Sequence, residues 1–98
     1  MELTVFGRFH ARPGQAEAVA QAIREVGRPT RVEPGCLAIQ AYRSIQDADL
    51  FFIHSRWTDD AAFQAHAVLA HTVRFLATVE PLIDHPLSVS RTQPLDSY

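Results

Sequence analysis

A chain of 98 residues that is 47% hydrophobic is one small globular domain, too apolar for disorder and near the lower limit of what buries a core alone. Its nine positive charges, all arginine, are scattered against eleven acidic residues, so no basic stripe exists to bind nucleic acid. The lone Cys36 excludes an internal disulfide, no apolar run nears the ~18 residues of a membrane span, and no signal-peptide layout follows Met1; the expected setting is the cytoplasm.

Residues 2–11 are rich in β-formers and stop at the turn Arg12-Pro13-Gly14. From Gln15 the period changes. Ala16, Val19, Ala20, Ile23 and Val26 step by three and four, predicting a helix that ends near Gly27 or Pro29. Glu33-Pro34-Gly35 is a second turn, residues 36–45 a strand, 46–49 a hairpin loop, and 50–57 a second strong strand. Thr58 or Asp59 is placed to cap the next helix, and Asp60 suits its positive end. Helical spacing continues through Phe63, His66, Ala70, Val73, Leu76 and Ala77 towards Pro81, with room for a break near Val68 and Leu69. Residues 87–92 predict a last strand, which leaves a single domain with a core over 1–92 and a tail over 93–98.

The order β-α-β-β-α-β predicts an α+β, ferredoxin-like fold: a four-stranded antiparallel sheet with its helices on one face. The 50–57 strand is apolar on both faces, with Phe51, Ile53 and Trp57 on one and Leu50 and Phe52 on the other. The first strand likewise sets Phe6 opposite Leu3, Val5 and Phe9. Two helices cover only one face, so the other predicts a homodimer joined sheet to sheet.

No motif announces hydrolysis or nucleotide binding: there is no glycine-rich phosphate loop, and Ser55 and Cys36 lack the surroundings of a nucleophile. On one continuous helix His66 and His71 stand ~140° apart, which predicts no metal site. What remains is an apolar interior with imidazoles beside it. His66 lies one turn after Phe63 and His71 one turn before Phe75, and a partly buried imidazole titrates near neutrality and accepts protons. A hydrogen-bonded structural role is the plainer alternative for each histidine, and a core role for Trp57.

The stretch Trp57, Ala62-Phe63, Ala65-His66, His71 and Phe75 is preceded by Glu33-Pro34-Gly35-Cys36. In type and spacing it resembles the antibiotic biosynthesis monooxygenase (ABM) family, in its quinol monooxygenase-like branch. The resemblance covers nearly the whole chain. It implies a dimeric α/β barrel and an apolar cavity between sheet and helices. It also implies oxygenation of a quinol or polyketide-like aromatic by molecular oxygen with no metal, flavin or other cofactor. By position it makes His66 the first choice for proton transfer and His71 the second, with Trp57, Phe63, His54 and Phe75 as substrate contacts. Many members carry a carboxylate two residues before the tryptophan and a tyrosine before that; here those positions are Ser55 and His54. The haem-degrading branch needs an asparagine and a ligating histidine where this chain has Gly7 and Leu76, so haem chemistry is not expected. The alternative function is a non-catalytic dimeric module that binds a small apolar ligand.

Overall fold

Alternation along the strands decides which face the helices cover. In the computed structural model, which describes residues 1–98, strand β1 (Leu3–His10) buries Val5, Gly7 and Phe9 and turns Phe6 and Arg8 outward. Strand β3 (Leu50–Trp57) buries Phe51, Ser55 and Trp57 on the same side. The two pair antiparallel, with Leu3 opposite Trp57 and His10 opposite Leu50. Strand β2 (Cys36–Arg43) flanks β3 and β4 (Ser88–Thr92) flanks β1, giving the antiparallel order β2-β3-β1-β4. Helices α1 (Ala16–Arg31), α2 (Asp60–Ala67) and α3 (Ala70–Val79) complete the ferredoxin-like α+β fold. Phe9, Val19, Ile23, Val26, Phe51, Phe75 and Val79 form the core between sheet and helices. None of the helices is long and apolar enough to cross a membrane.

Two helices depart from the sequence reading. Helix α1 does not stop at Gly27 or Pro29 but continues to Arg31. Pro29 falls in the last turn, where its missing N–H removes one backbone bond. Thr30 lies fully buried beside it and its hydroxyl donates to the Val26 carbonyl at 2.6 Å, so the turn is held on the core. The second predicted helix is interrupted where the spacing left room for a break, and what departs is the face that follows it. Leu69 is extended (φ −71°, ψ 149°) and the axis restarts at Ala70. The buried face of α3 is therefore Thr72, Phe75 and Val79, while Ala70, Val73 and Ala77 face solvent. At the head of α2 the Asp59 carboxylate accepts the Ala62 N–H at 2.8 Å, so Asp59 rather than Thr58 is the cap.

Gly35 ends the turn before β2 with φ +87°, and a Cβ there would lie 2.6 Å from that of Ala62. This contact sets the turn directly against α2. On the outer sheet face Phe6 and Tyr42 are each about half exposed, and His54 packs its ring 5.1 Å from that of Phe6.

His10, at the end of β1, ties three segments together. Its Nε2 bonds Asp47 at 2.9 Å and its Nδ1 bonds Asp84 at 2.6 Å. The Asp47 bond, then the Asp84 bond, raise its pKa above the usual 6.5. Asp47 is held low by the Asp49 N–H and then by His10, and Asp84 by His85 and then by His10. The sign follows from linkage. The His10 contribution is complete below pH 6.5 and fades as pH rises through its raised value; that of the aspartates fades as pH falls through their lowered values. The cluster therefore helps most between about pH 4 and 6.5. An NMR titration should show His10 above 6.5 in the wild type. The double variant Asp47→Asn, Asp84→Asn should return it to or below that value, and an unmoved midpoint would remove the aspartates as the cause.

Candidate functional site

A cavity of about 290 Å³ lies where the covered sheet face meets the broken helix. Phe9, Trp57, Phe63, Phe75 and Leu76 supply apolar walls, and His66 is the one imidazole in the lining. A wider surface hollow of about 560 Å³ near Arg12, Glu80, Asp84 and His85 shares only Leu76 and Leu87 with it. We place the site in the smaller cavity because aromatic walls with a few convergent polar groups are what a small-molecule site offers.

Trp57 organises the floor. It ends β3 fully buried, and its Nε1–H donates to the buried Ser55 hydroxyl at 3.0 Å. Phe63 meets it edge-on at 5.5 Å between centroids, and the His66 ring lies at 4.8 Å from Trp57 and 5.6 Å from Phe63. One side of the imidazole thus faces two aromatic rings, and the other side is fixed by polar contacts.

Those contacts converge on Glu33. Its carboxylate Oε2 lies 2.8 Å from His66 Nδ1 and 2.6 Å from His71 Nε2. A carboxylate only accepts, so both ring nitrogens donate to it. The Thr72 hydroxyl adds a contact to His66 Nδ1 at 3.2 Å. Glu33 is only 7% exposed at its side chain, and burying a carboxylate is costly unless it is paired. With Nδ1 occupied, His66 keeps Nε2 as the ring nitrogen without a hydrogen-bond partner.

Local structure assembles the trio from three places. The chain leaves α1 with the Glu33 N–H bonded to the Thr30 carbonyl, and Gly35 turns it onto α2. His66 is in the last turn of α2 and His71 in the first of α3. The interruption at Val68 and Leu69 cancels the ~140° divergence of a continuous helix and brings the rings to 6.1 Å between centroids. The helix-phase argument against a shared metal-binding face is overturned at this point: Glu33, His66 and His71 place one donor atom each within 4.8 Å of one another.

Of the residues singled out from sequence, Trp57, Phe63, His66 and Phe75 line the cavity together. His71 does not; it reaches Glu33 from a separate shallow groove that it shares with Arg74. His54 does not either, because alternation along β3 puts it on the outer sheet face against Phe6. One histidine thus lines the cavity, a second lies behind it, and the third is on the opposite face of the sheet. Glu33 was read only as part of a turn. Its one signal was an acidic residue directly before Pro34-Gly35 in a stretch that already resembled the ABM family.

Comparison with known proteins agrees with this architecture. The chain is 29% identical over 94 residues to Rv0793 of Mycobacterium tuberculosis, named a putative monooxygenase, covering 96% of this chain and 92% of that protein. The solved structure of Rv0793 superposes with a TM-score of 0.92, covering 99% of this chain and 98% of the other. The crystal structure of PA3566 from Pseudomonas aeruginosa is 32% identical with a TM-score of 0.90, covering 97% of this chain and 95% of that one. The family model for antibiotic biosynthesis monooxygenase matches residues 3–78, and the chain belongs to that family.

Proposed function

We propose that this protein is a cofactor-independent monooxygenase that oxidises a small quinol- or anthrone-like aromatic with O2, with His66 as the base. The observation that carries the reading is the His66 ring. It is the only imidazole in an apolar cavity, and it is anchored through Nδ1 by a buried carboxylate with Nε2 left free. A neutral ring held this way accepts a phenolic or benzylic proton at Nε2, and Glu33 stabilises the imidazolium that forms. Glu33 is thus a positioning residue. It fills the need left by Ser55, whose hydroxyl is taken by Trp57.

The deprotonated substrate is the reductant. For an anthrone-like CH2, four electrons pass from carbon to O2: one oxygen becomes the ketone and the other leaves as water with the two protons. The apolar walls exclude water from the carbanion and hold the ring plane, which is what the protein contributes besides the base. Oxygen uptake across a panel of hydroquinones and anthrones tests the reading. Uptake well above the uncatalysed background is expected for at least one of them. Uptake at background throughout would transfer the cavity to a non-catalytic ligand-binding role.

The same reading includes a homodimer formed through the outer sheet face, where Phe6, Phe52 and Tyr42 leave apolar surface uncovered. Sedimentation should give twice the 11.0 kDa chain mass at micromolar concentration, and Phe6→Asp should shift it towards monomer. A well-folded wild-type monomer at that concentration would remove the argument.

A further inference from the structure

The Glu33 carboxylate and its two imidazoles are a ligand set as well as a hydrogen-bonded group. What holds them together is a pair of ring N–H groups aimed at one oxygen, at 2.8 and 2.6 Å, with all three donor atoms within 4.8 Å of one another. Two neutral imidazoles and one carboxylate commonly hold Zn²⁺, at about 2.0–2.2 Å from each, with water in the fourth position. Donors at those lengths on a tetrahedral ion stand roughly 3.3 Å apart, so the carboxylate has to withdraw by about half an ångström from each ring, and the two ring nitrogens, up to 4.8 Å apart, have to close by as much as about 1.5 Å. The rings sit on two helices, and the carboxylate sits on a turn. An ion need not cross the cavity to arrive, because the His71 side chain is 22% exposed along its own groove. Cys36 does not compete for it. Its thiol donates to the Ala38 carbonyl, and burial followed by the Glu33 charge raises its pKa, which keeps it a thiol.

The geometry points to a Zn²⁺ site at Glu33, His66 and His71 whose occupancy removes the proton acceptor from the cavity. The second part rests on the reading of His66 as the base. Zinc takes the Nδ1 lone pair of His66, so the neutral ring carries its proton on Nε2. That nitrogen then donates and no longer accepts. Zinc is not needed for turnover; it stops turnover.

Calorimetric titration of the metal-free protein with ZnCl2 should give one ion per chain, and Co²⁺ in its place should give the visible bands of a tetrahedral site. Glu33→Gln, which keeps the shape of the side chain, and His71→Ala, which leaves the cavity lining intact, should each weaken binding at least about tenfold. His10→Ala removes the other imidazole–carboxylate cluster and should leave binding unchanged. Absence of binding, or binding that survives Glu33→Gln and His71→Ala, overturns the site. The blocked base is read without any substrate: ¹H–¹⁵N spectra should place the His66 proton on Nε2 in the zinc form. A proton still on Nδ1, or oxygen uptake undiminished at zinc saturation, overturns the switch and leaves the monooxygenase reading intact. Uptake absent with and without zinc counts against that reading alone.

Discussion

His66→Ala is expected to slow the chemical step with a responsive quinol or anthrone by roughly two to four orders of magnitude, the usual range for losing a general base. The ring is held at Nδ1 by Glu33 and Thr72 and flanked by Trp57 and Phe63, so it meets substrate in one orientation. Glu33→Gln keeps a hydrogen-bonding group at the same place but removes the charge opposite the imidazolium, and should cost about one to three orders of magnitude in kcat. His85→Ala, in the cluster beyond the end of β1, serves as the control. The measurement is single-turnover oxygen consumption, with circular dichroism to show that each variant folds. Fast uptake that survives His66→Ala would keep the enzyme and discard this base, and His71 would be tested next.

The second large effect is on stability. Trp57 is fully buried, and truncating such a side chain costs about 3–5 kcal/mol. That is a large share of the roughly 5–15 kcal/mol that a domain of this size has in total. Trp57→Ala also leaves the buried Ser55 hydroxyl without its donor and removes the surface on which Phe63 and His66 rest. The melting temperature should fall by on the order of 20 °C. Trp57→Phe retains an aromatic wall and should fall less. A loss below about 1 kcal/mol in urea denaturation of Trp57→Ala would show that α2 is held by something other than this ring.

The sheet was legible in the sequence because its signal is local: period-two alternation reads off β1 and β3 directly, and Leu50–Trp57 is a strand in both readings. Helix α1 was legible except at its end, where tertiary burial of Val26 and Thr30 outweighs what Pro29 implies. The helix break was harder. Neither glycine nor proline marks Val68 and Leu69, and the only trace is a slip of phase. Buried or half-buried positions run 62, 63, 66 and then 71, 72, 75, 79, with a step of five where three or four belongs. The aromatics Trp57, Phe63 and Phe75 were marked by the family resemblance, and they line the cavity. Glu33 did not, because its partners are 33 and 38 positions away and nothing in its own neighbourhood says that its carboxylate is buried.

The close approach at Gly35 has a consequence for how this chain tolerates change. A methyl group there would strike Ala62, and the backbone already occupies a conformation that side chains resist. Relief has to come from moving α2 away from the turn. That movement carries His66 off both Trp57 and Glu33 at once, although neither residue is altered. A sensitive position of the site therefore has no chemistry of its own. It acts as a spacer, and variation here is limited by the clearance between a turn and a helix before it is limited by any reacting group.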